Sequence, residues 1–405
     1  MNTNSSLLTR LRQVRTDAAQ FPAPSVAALA HSDRLKQSII NEIDQAGGKI
    51  TFAQFMELAL YTPGLGYYSS GSVKLGKEGD FITAPEVSPL FSRCIARSIM
   101  PALSELTSPA ILEVGAGSGV MASDILLELE HNSLTLEHYA ILERSADLIQ
   151  RQKQTVEQRI PHWHKYVEWW YELPDKMQRV IIANELLDAL PVHRIAYIRG
   201  EWCELNVLVD QQGGFDWCID ALSDPRLTVR IQQLEQRFGA FDDGYVTEVN
   251  LAAEDWLKTI ANQLYKGMIL LIDYGQTQSS YYHPERNQGT LMCHYRHHAH
   301  GDPFAFIGLQ DITAHVDFTA LADAALETGL DVSGFTTQAH FLLGSGITEM
   351  SQENDSAINQ LDFSNQVKKL TLPQEMGETF KVIAFSKNID VPLAGFKFRD
   401  MRDIL

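Results

Sequence analysis

At 405 residues, 45% of them apolar, the chain exceeds what one hydrophobic core ordinarily organises, so one large catalytic domain carrying insertions, or two packed lobes, is expected. Its 33 basic against 51 acidic residues leave a net charge of -18, which repels a phosphate backbone, argues against a nucleic-acid partner and favours a basic one. Cys94, Cys203, Cys218 and Cys293 stand without CxxC pairing, and no apolar run approaches the roughly 18 residues that a membrane span needs. A reducing, cytoplasmic setting without membrane insertion is therefore expected.

In chain order, the first 20 residues set Arg10, Arg12 and Arg15 among Ser and Thr, faintly like an organelle transit peptide. Asp17 interrupts that pattern, and an amphipathic N-terminal helix is the reading adopted. Up to residue 105 the chain reads as a helical lobe with a glycine-rich loop at 64–79. Ser88-Pro89 is an N-cap followed by an N1 proline, after which Leu90, Phe91, Cys94, Ile95 and Ile99 fall on one face. Residues 106–192 read as the first half of a catalytic core: short, nearly continuously apolar strands at 110–114, 139–143, 166–170 and 179–183 alternate with helical patterns, as in a parallel sheet covered on both faces. Residues 193–245 read as a β-rich insertion, with a turn at Gly213-Gly214 and a helix capped at Asp224-Pro225. The remainder, 246–405, supplies a strand at 268–273 and a late one at 380–386 beside it. The fold class expected is α/β, Rossmann-like.

The turn Glu113-Val-Gly115-Ala-Gly117-Ser-Gly119 joins the first strand directly to a helical pattern at 121–129. Glycines there let a ligand approach the backbone, and the amides at the helix start can hold its polar atoms. A dinucleotide fingerprint wants its third glycine one position later, where Val120 stands. The spacing, with Glu113 just ahead of it, looks instead like the first motif of seven-stranded S-adenosylmethionine methyltransferases, with Gly115, Ala116, Gly117 and Gly119 at the cofactor. Glu143, ending the second strand, is positioned to accept from ribose hydroxyls. The fourth strand runs into Ala183-Asn184-Glu185, polar groups at a carboxyl sheet edge where open α/β folds bind ligands. The prolyl-prolyl-aromatic tetrapeptide typical of nucleobase amine methyltransferases is absent from this point.

Six segments together resemble the MidA-like methyltransferases. They are Gly64-Leu-Gly-Tyr-Tyr68, Gly79-Asp-Phe-Ile-Thr-Ala-Pro-Glu-Val-Ser88, the glycine turn, Ala183-Asn-Glu-Leu-Leu-Asp-Ala-Leu-Pro191, Ile272-Asp-Tyr-Gly275 and Gly308-Leu-Gln-Asp-Ile-Thr-Ala-His-Val-Asp-Phe318. The resemblance implies a class I, seven-stranded core with an N-terminal helical lobe, an S-adenosylmethionine cofactor, and methyl transfer to an arginine of a protein, in the mitochondrial relative a catalytic-core subunit of respiratory complex I.

A carboxylate pair gripping a guanidinium would orient it and localise a lone pair on the remaining nitrogen. Glu185 and Glu86, with Asn184, are the candidate catalytic residues, and Asp188, Glu248 and Tyr274 further substrate contacts. The segment 79–88, with Asp80 and Thr83, is expected to close over the cofactor. His294, His297, His298 and His300 with Asp302 lack the i, i+4 pair of a helical zinc motif and read as a pocket-lining or interface loop. Three other readings stay open: a non-catalytic cofactor-binding assembly factor, a small-molecule methyltransferase and, least supported by the motif spacing, a nicotinamide oxidoreductase. The oligomeric state, a homodimer included, is also open.

Overall fold

The computed structural model describes residues 3–14, 20–69, 83–353 and 357–405. Its main sheet contains strands β1 (Ala110–Val114), β2 (His138–Leu142), β3 (Val167–Trp170), β4 (Met177–Asn184), β5 (Leu264–Gln276), β6 (Val316–Asp317), β7 (Asp331–Thr337) and β8 (Phe380–Lys387). Seven of them form the path β7-β8-β5-β4-β1-β2-β3, and the two-residue β6 pairs with β5. The neighbours β5, β4, β1, β2 and β3 run parallel, whereas β8 is antiparallel to both β5 and β7. The result is an α/β fold with a mixed sheet.

Strand composition follows from burial on both faces. Along β1, Ile111 enters the core on one side and Leu112 the core on the other; Ile182 and Ile181 of β4 divide in the same way. Helices Pro89–Ser104 and Val120–His131 cover one face, contributing Phe91, Ile95, Ala122 and Leu126. Helices Leu251–Gln263 and Phe318–Glu327 cover the other with Leu257, Ile260, Leu321 and Ala325. The caps read from sequence are present. Ser88 accepts from Leu90 N at 3.1 Å, and Asp224 accepts from Arg226 N at 2.8 Å. Strand β7 is absent from the sequence-based strands because Ser333 and Gly334 interrupt its apolar run. Gly334 is needed there, since a Cβ on it would lie 2.3 Å from the Phe396 ring.

Among the described residues before 110, the elements are helices apart from strand Lys49–Thr51. That strand pairs with Glu201–Val209, which joins it to His193–Ile198, Phe215–Asp220 and Val246–Val249 in a second sheet. Residues far apart in sequence thus share one core, Ile39, Phe52 and Phe55 packing with Leu205, Val207 and Trp217. Helix Thr3–Gln13 buries Leu7 and Leu11, and Arg12 pairs with Asp216 at 2.6 Å. Among the described residues no helix is long and apolar enough to cross a membrane. None of their His, Cys, Asp and Glu groups is arranged to hold a metal ion. His298 and His300 pack edge-on against Phe21, with ring centroids 5.5 and 5.1 Å apart.

Candidate cofactor and acceptor site

The chain leaves β1 for β2 and β3 on one side and returns to β4 on the other, so a crevice opens outside the carboxyl ends of β1 and β4, where doubly wound sheets bind ligands. A cavity of about 600 Å³ occupies it, within the range of small-molecule sites. Of the residues singled out from sequence, Thr83, Glu86, Glu113, Gly115, Ala116, Gly117, Glu143, Asn184 and Glu185 line this cavity. Strand register brings them together, because Val114 lies opposite both Leu142 and Ala183 and the three strand ends are level.

The turn is built as its glycines require. Gly115, Gly117 and Gly119 have φ of 71°, 52° and 80°, a region L side chains rarely adopt, and Gly119 is the N-cap of helix Val120–His131. Gly119 sits behind the cavity wall, and a Cβ on it would come 3.1 Å from Gln152 Cα. Glu113 is 1% exposed, and one of its oxygens accepts from the Tyr139 hydroxyl at 2.7 Å. Burial pushes its carboxyl up to about 7. The other oxygen, Oε1, and Oδ1 of Asn184 are buried with no hydrogen-bond partner among the described residues. Two orphaned acceptors on neighbouring strand ends fit a ligand that supplies donors.

Glu143 is held from three directions. Its Oε1 accepts from the backbone amides of Arg144 and Ser145, each at 2.9 Å, and its Oε2 from Gln152 Nε2 at 3.2 Å. Gln152 also donates to the Gly117 carbonyl at 3.1 Å and accepts from Trp169 Nε1 at 3.0 Å. This fully buried amide, not singled out from sequence, ties the glycine turn to the acid of the second strand. Its signal was a polar residue on the apolar face of helix Ala146–Arg159, between Ile149 and Val156. We expect Gln152→Leu to weaken S-adenosylhomocysteine about tenfold in calorimetry. In a double-mutant cycle the loss should be non-additive with Glu143→Gln, because both act through one carboxylate; additive losses would show that Gln152 serves packing alone.

The chain leaves β4 through a strained loop. Glu185 has φ of 50°, unusual for a residue with a side chain, and its amide donates to the Ile272 carbonyl at 2.9 Å. The loop is pinned by Asp273, whose Oδ2 accepts from the amides of Leu186, Leu187 and Asp188 at 3.2, 2.8 and 3.2 Å. Its sequence sign was an acid ending an apolar strand. Burial, and next the charge of Asp273, push the Glu185 carboxyl up to about 8, against donation from Asn184 Nδ2 and the Ala84 amide. Glu86, expected beside Glu185, instead accepts from the Ser118 hydroxyl, fastening the short helix Ala84–Val87 onto the glycine turn.

Three further candidates lie off the cavity wall. Asp188 is buried beside Asp273, and burial with its acidic neighbours raises its pKa far above the ordinary value. Tyr274 packs 4.1 Å from the Phe380 ring. Glu248 is fully buried elsewhere: it faces Arg194 at 3.4 Å and accepts from Thr290 N at 2.7 Å. Arg194 and Thr290 thus engage the Glu248 carboxylate away from this cavity, with its Oε1 left without a hydrogen-bond partner among the described residues. Asp80 lies outside the described residues. Tyr61 and Tyr68, in contrast, line the cavity.

The fold and site define an α/β protein with a nucleoside-type cofactor pocket. The cavity walls carry Glu86, Glu143 and Asp147 against Arg151, with Glu113 and Glu185 as further carboxyls, an acidic surface that would repel a pyrophosphate and suits a cationic ligand. A family model described as "Putative S-adenosyl-L-methionine-dependent methyltransferase" matches residues 94–336. The chain belongs to that family, the MidA-like methyltransferases. It is 42% identical to a Burkholderia thailandensis protein whose crystal structure holds S-adenosyl-homocysteine, with a TM-score of 0.91 over 95% of this chain and 100% of that one.

Among curated relatives, the mitochondrial protein arginine methyltransferase NDUFAF7 homolog of Drosophila melanogaster is 27% identical over 93% of this chain and 91% of its own length. The mitochondrial protein arginine methyltransferase NDUFAF7 of Danio rerio is 27% identical over 92% and 95%. These names overturn the expected cytoplasmic setting, since the relatives are mitochondrial proteins.

Proposed function

We propose that the chain transfers a methyl group from S-adenosylmethionine to an arginine side chain of a protein, with a respiratory complex I subunit as the candidate substrate. The observation that carries this reading is a single cavity running from the glycine turn to the Glu185 carboxylate. The curated relatives' names supply the acceptor class.

In this reading Glu113 Oε1 and Asn184 Oδ1 receive the amino group of the cofactor's methionine part. Glu143 would accept from the ribose hydroxyls, and Gly115, Ala116 and Gly117 would line the same pocket. Thr83 and Glu86 close the turn from above, Glu86 through Ser118, and Asp80 belongs to the same segment. When bound, S-adenosylmethionine supplies an electrophilic methyl group on a sulfonium. What remains for the protein is to orient the acceptor and exclude water. Glu185 pairs with the guanidinium, while Asp273 and Asp188 hold its loop. The core at 106–192 supplies most of the cavity wall, and the lobe at 1–105 adds Tyr61, Tyr68, Thr83, Pro85 and Glu86.

Mass spectrometry of proteins from cells with and without the gene tests the activity. The expected result is a protein arginine that loses its methyl groups on deletion. If complex I assembly fails with every arginine methylation intact, the chain acts as a cofactor-binding assembly factor.

A further inference from the structure

Beyond the glycine turn, the cavity wall is made by Tyr61, Tyr68, Pro85, Leu186 and Ala189 together with Glu185. The two tyrosine rings are stacked, with centroids 5.5 Å apart and planes 20° apart. Both hydroxyls are committed: Tyr61 donates to the Ala189 carbonyl at 3.0 Å, and Tyr68 reaches both carboxylate oxygens of Asp311 at 2.9 Å. A ligand at this end therefore meets ring and aliphatic surface, with Glu185 supplying the carboxyl group among these six side chains. An apolar sleeve containing a carboxylate suits a side chain with an aliphatic stem and a cationic head, because rings attract cations and apolar walls accept methylene groups. The Tyr61 bond spans from the N-terminal lobe to the loop that carries Glu185, so the two walls of the sleeve are fixed to one another.

We infer that Tyr61 and Tyr68 form the acceptor subsite, an aromatic sleeve admitting the stem of an arginine side chain and delivering its guanidinium to Glu185. The inference rests on the arginine reading above and adds which residues select the acceptor. The two hydroxyls bond Ala189 and Asp311 rather than Glu143 or Gln152, so loss of the sleeve should spare cofactor affinity.

The test uses the full chain, S-adenosyl-L-methionine carrying a labelled methyl group, and protein extract from cells lacking the gene. Wild type should label protein, with the label recovered as methylarginine on hydrolysis. Tyr61→Leu should cut labelling at least tenfold while S-adenosylhomocysteine affinity in calorimetry stays within threefold, and Tyr61→Phe, which keeps the ring, should retain at least a third of the labelling. Tyr68→Leu serves as the second variant under the same two measurements. If both leucine variants label at the wild-type level, or lose S-adenosylhomocysteine affinity in step with labelling, the sleeve assignment is wrong. If wild type itself places no label on arginine, the failure lies in the arginine reading, and the variants are not what reveals it.

Discussion

Gly117→Val should abolish binding of S-adenosylmethionine and its demethylated product, lowering affinity by at least about 100-fold, or roughly 2.7 kcal/mol. Two effects combine. Gly117 has φ of 52°, where a β-branched residue is strained by about 1–2 kcal/mol, and it lines the cavity, so the added side chain takes space the ligand needs. Strain alone can be separated from lost binding by a control in the Gly213-Gly214 turn. Gly213 has φ of 77° and open space around its Cβ position, far from the cavity. Gly213→Val should lower thermal stability yet leave calorimetric affinity for S-adenosylhomocysteine unchanged. Wild-type affinity in Gly117→Val would remove the cofactor from this turn.

Glu185→Gln should reduce methyl transfer about 100- to 1,000-fold, the range seen when one preorganised electrostatic contact is lost at a reacting centre. Cofactor affinity should stay within about threefold. The pH dependence follows from the same carboxyl. With its pKa pushed up to about 8, the form that pairs with a guanidinium grows about tenfold for each pH unit below 8 and saturates above it. Wild-type kcat/KM for the acceptor should therefore rise toward pH 8 and then level, while the glutamine variant stays flat across that window. A wild-type profile flat from pH 6 to 9 would take Glu185 out of the acceptor contact.

Stability moves the opposite way. The native state keeps a proton on Glu185 that the unfolded chain, with its ordinary value of 4.5, has already released, so this residue opposes folding increasingly from about pH 4.5 to 8. Above pH 8 the glutamine variant should unfold at no lower temperature than wild type, an exchange of activity for stability typical of strained sites.

Legibility in the sequence tracks the range of the interactions involved. The strand at 110–114 was placed to the residue, and those at 139–143 and 179–183 to within two, because each is a short apolar run between polar boundaries. The caps at Ser88 and Asp224 were equally local. Strand Lys49–Thr51 was missed because three residues carry no period, and only the distant Glu201–Val209 makes them a strand. Glu248 shows the converse. A carboxylate beside a cap looks available for substrate until strand pairing sets Arg194 opposite it.

The sequence by itself determined the glycine turn, the acid at the second strand end and the polar end of the fourth strand, since each depends on residues within one strand-turn unit. Tertiary structure alone decided that Gln152 bridges the first two, that Asp273 pins the loop of Glu185, and that Tyr68 meets Asp311. Those contacts cross between elements, their partners 9 to 243 residues apart in sequence. Side-chain identity cannot announce them, because a buried hydrogen bond is specified by the packing that brings its two partners together.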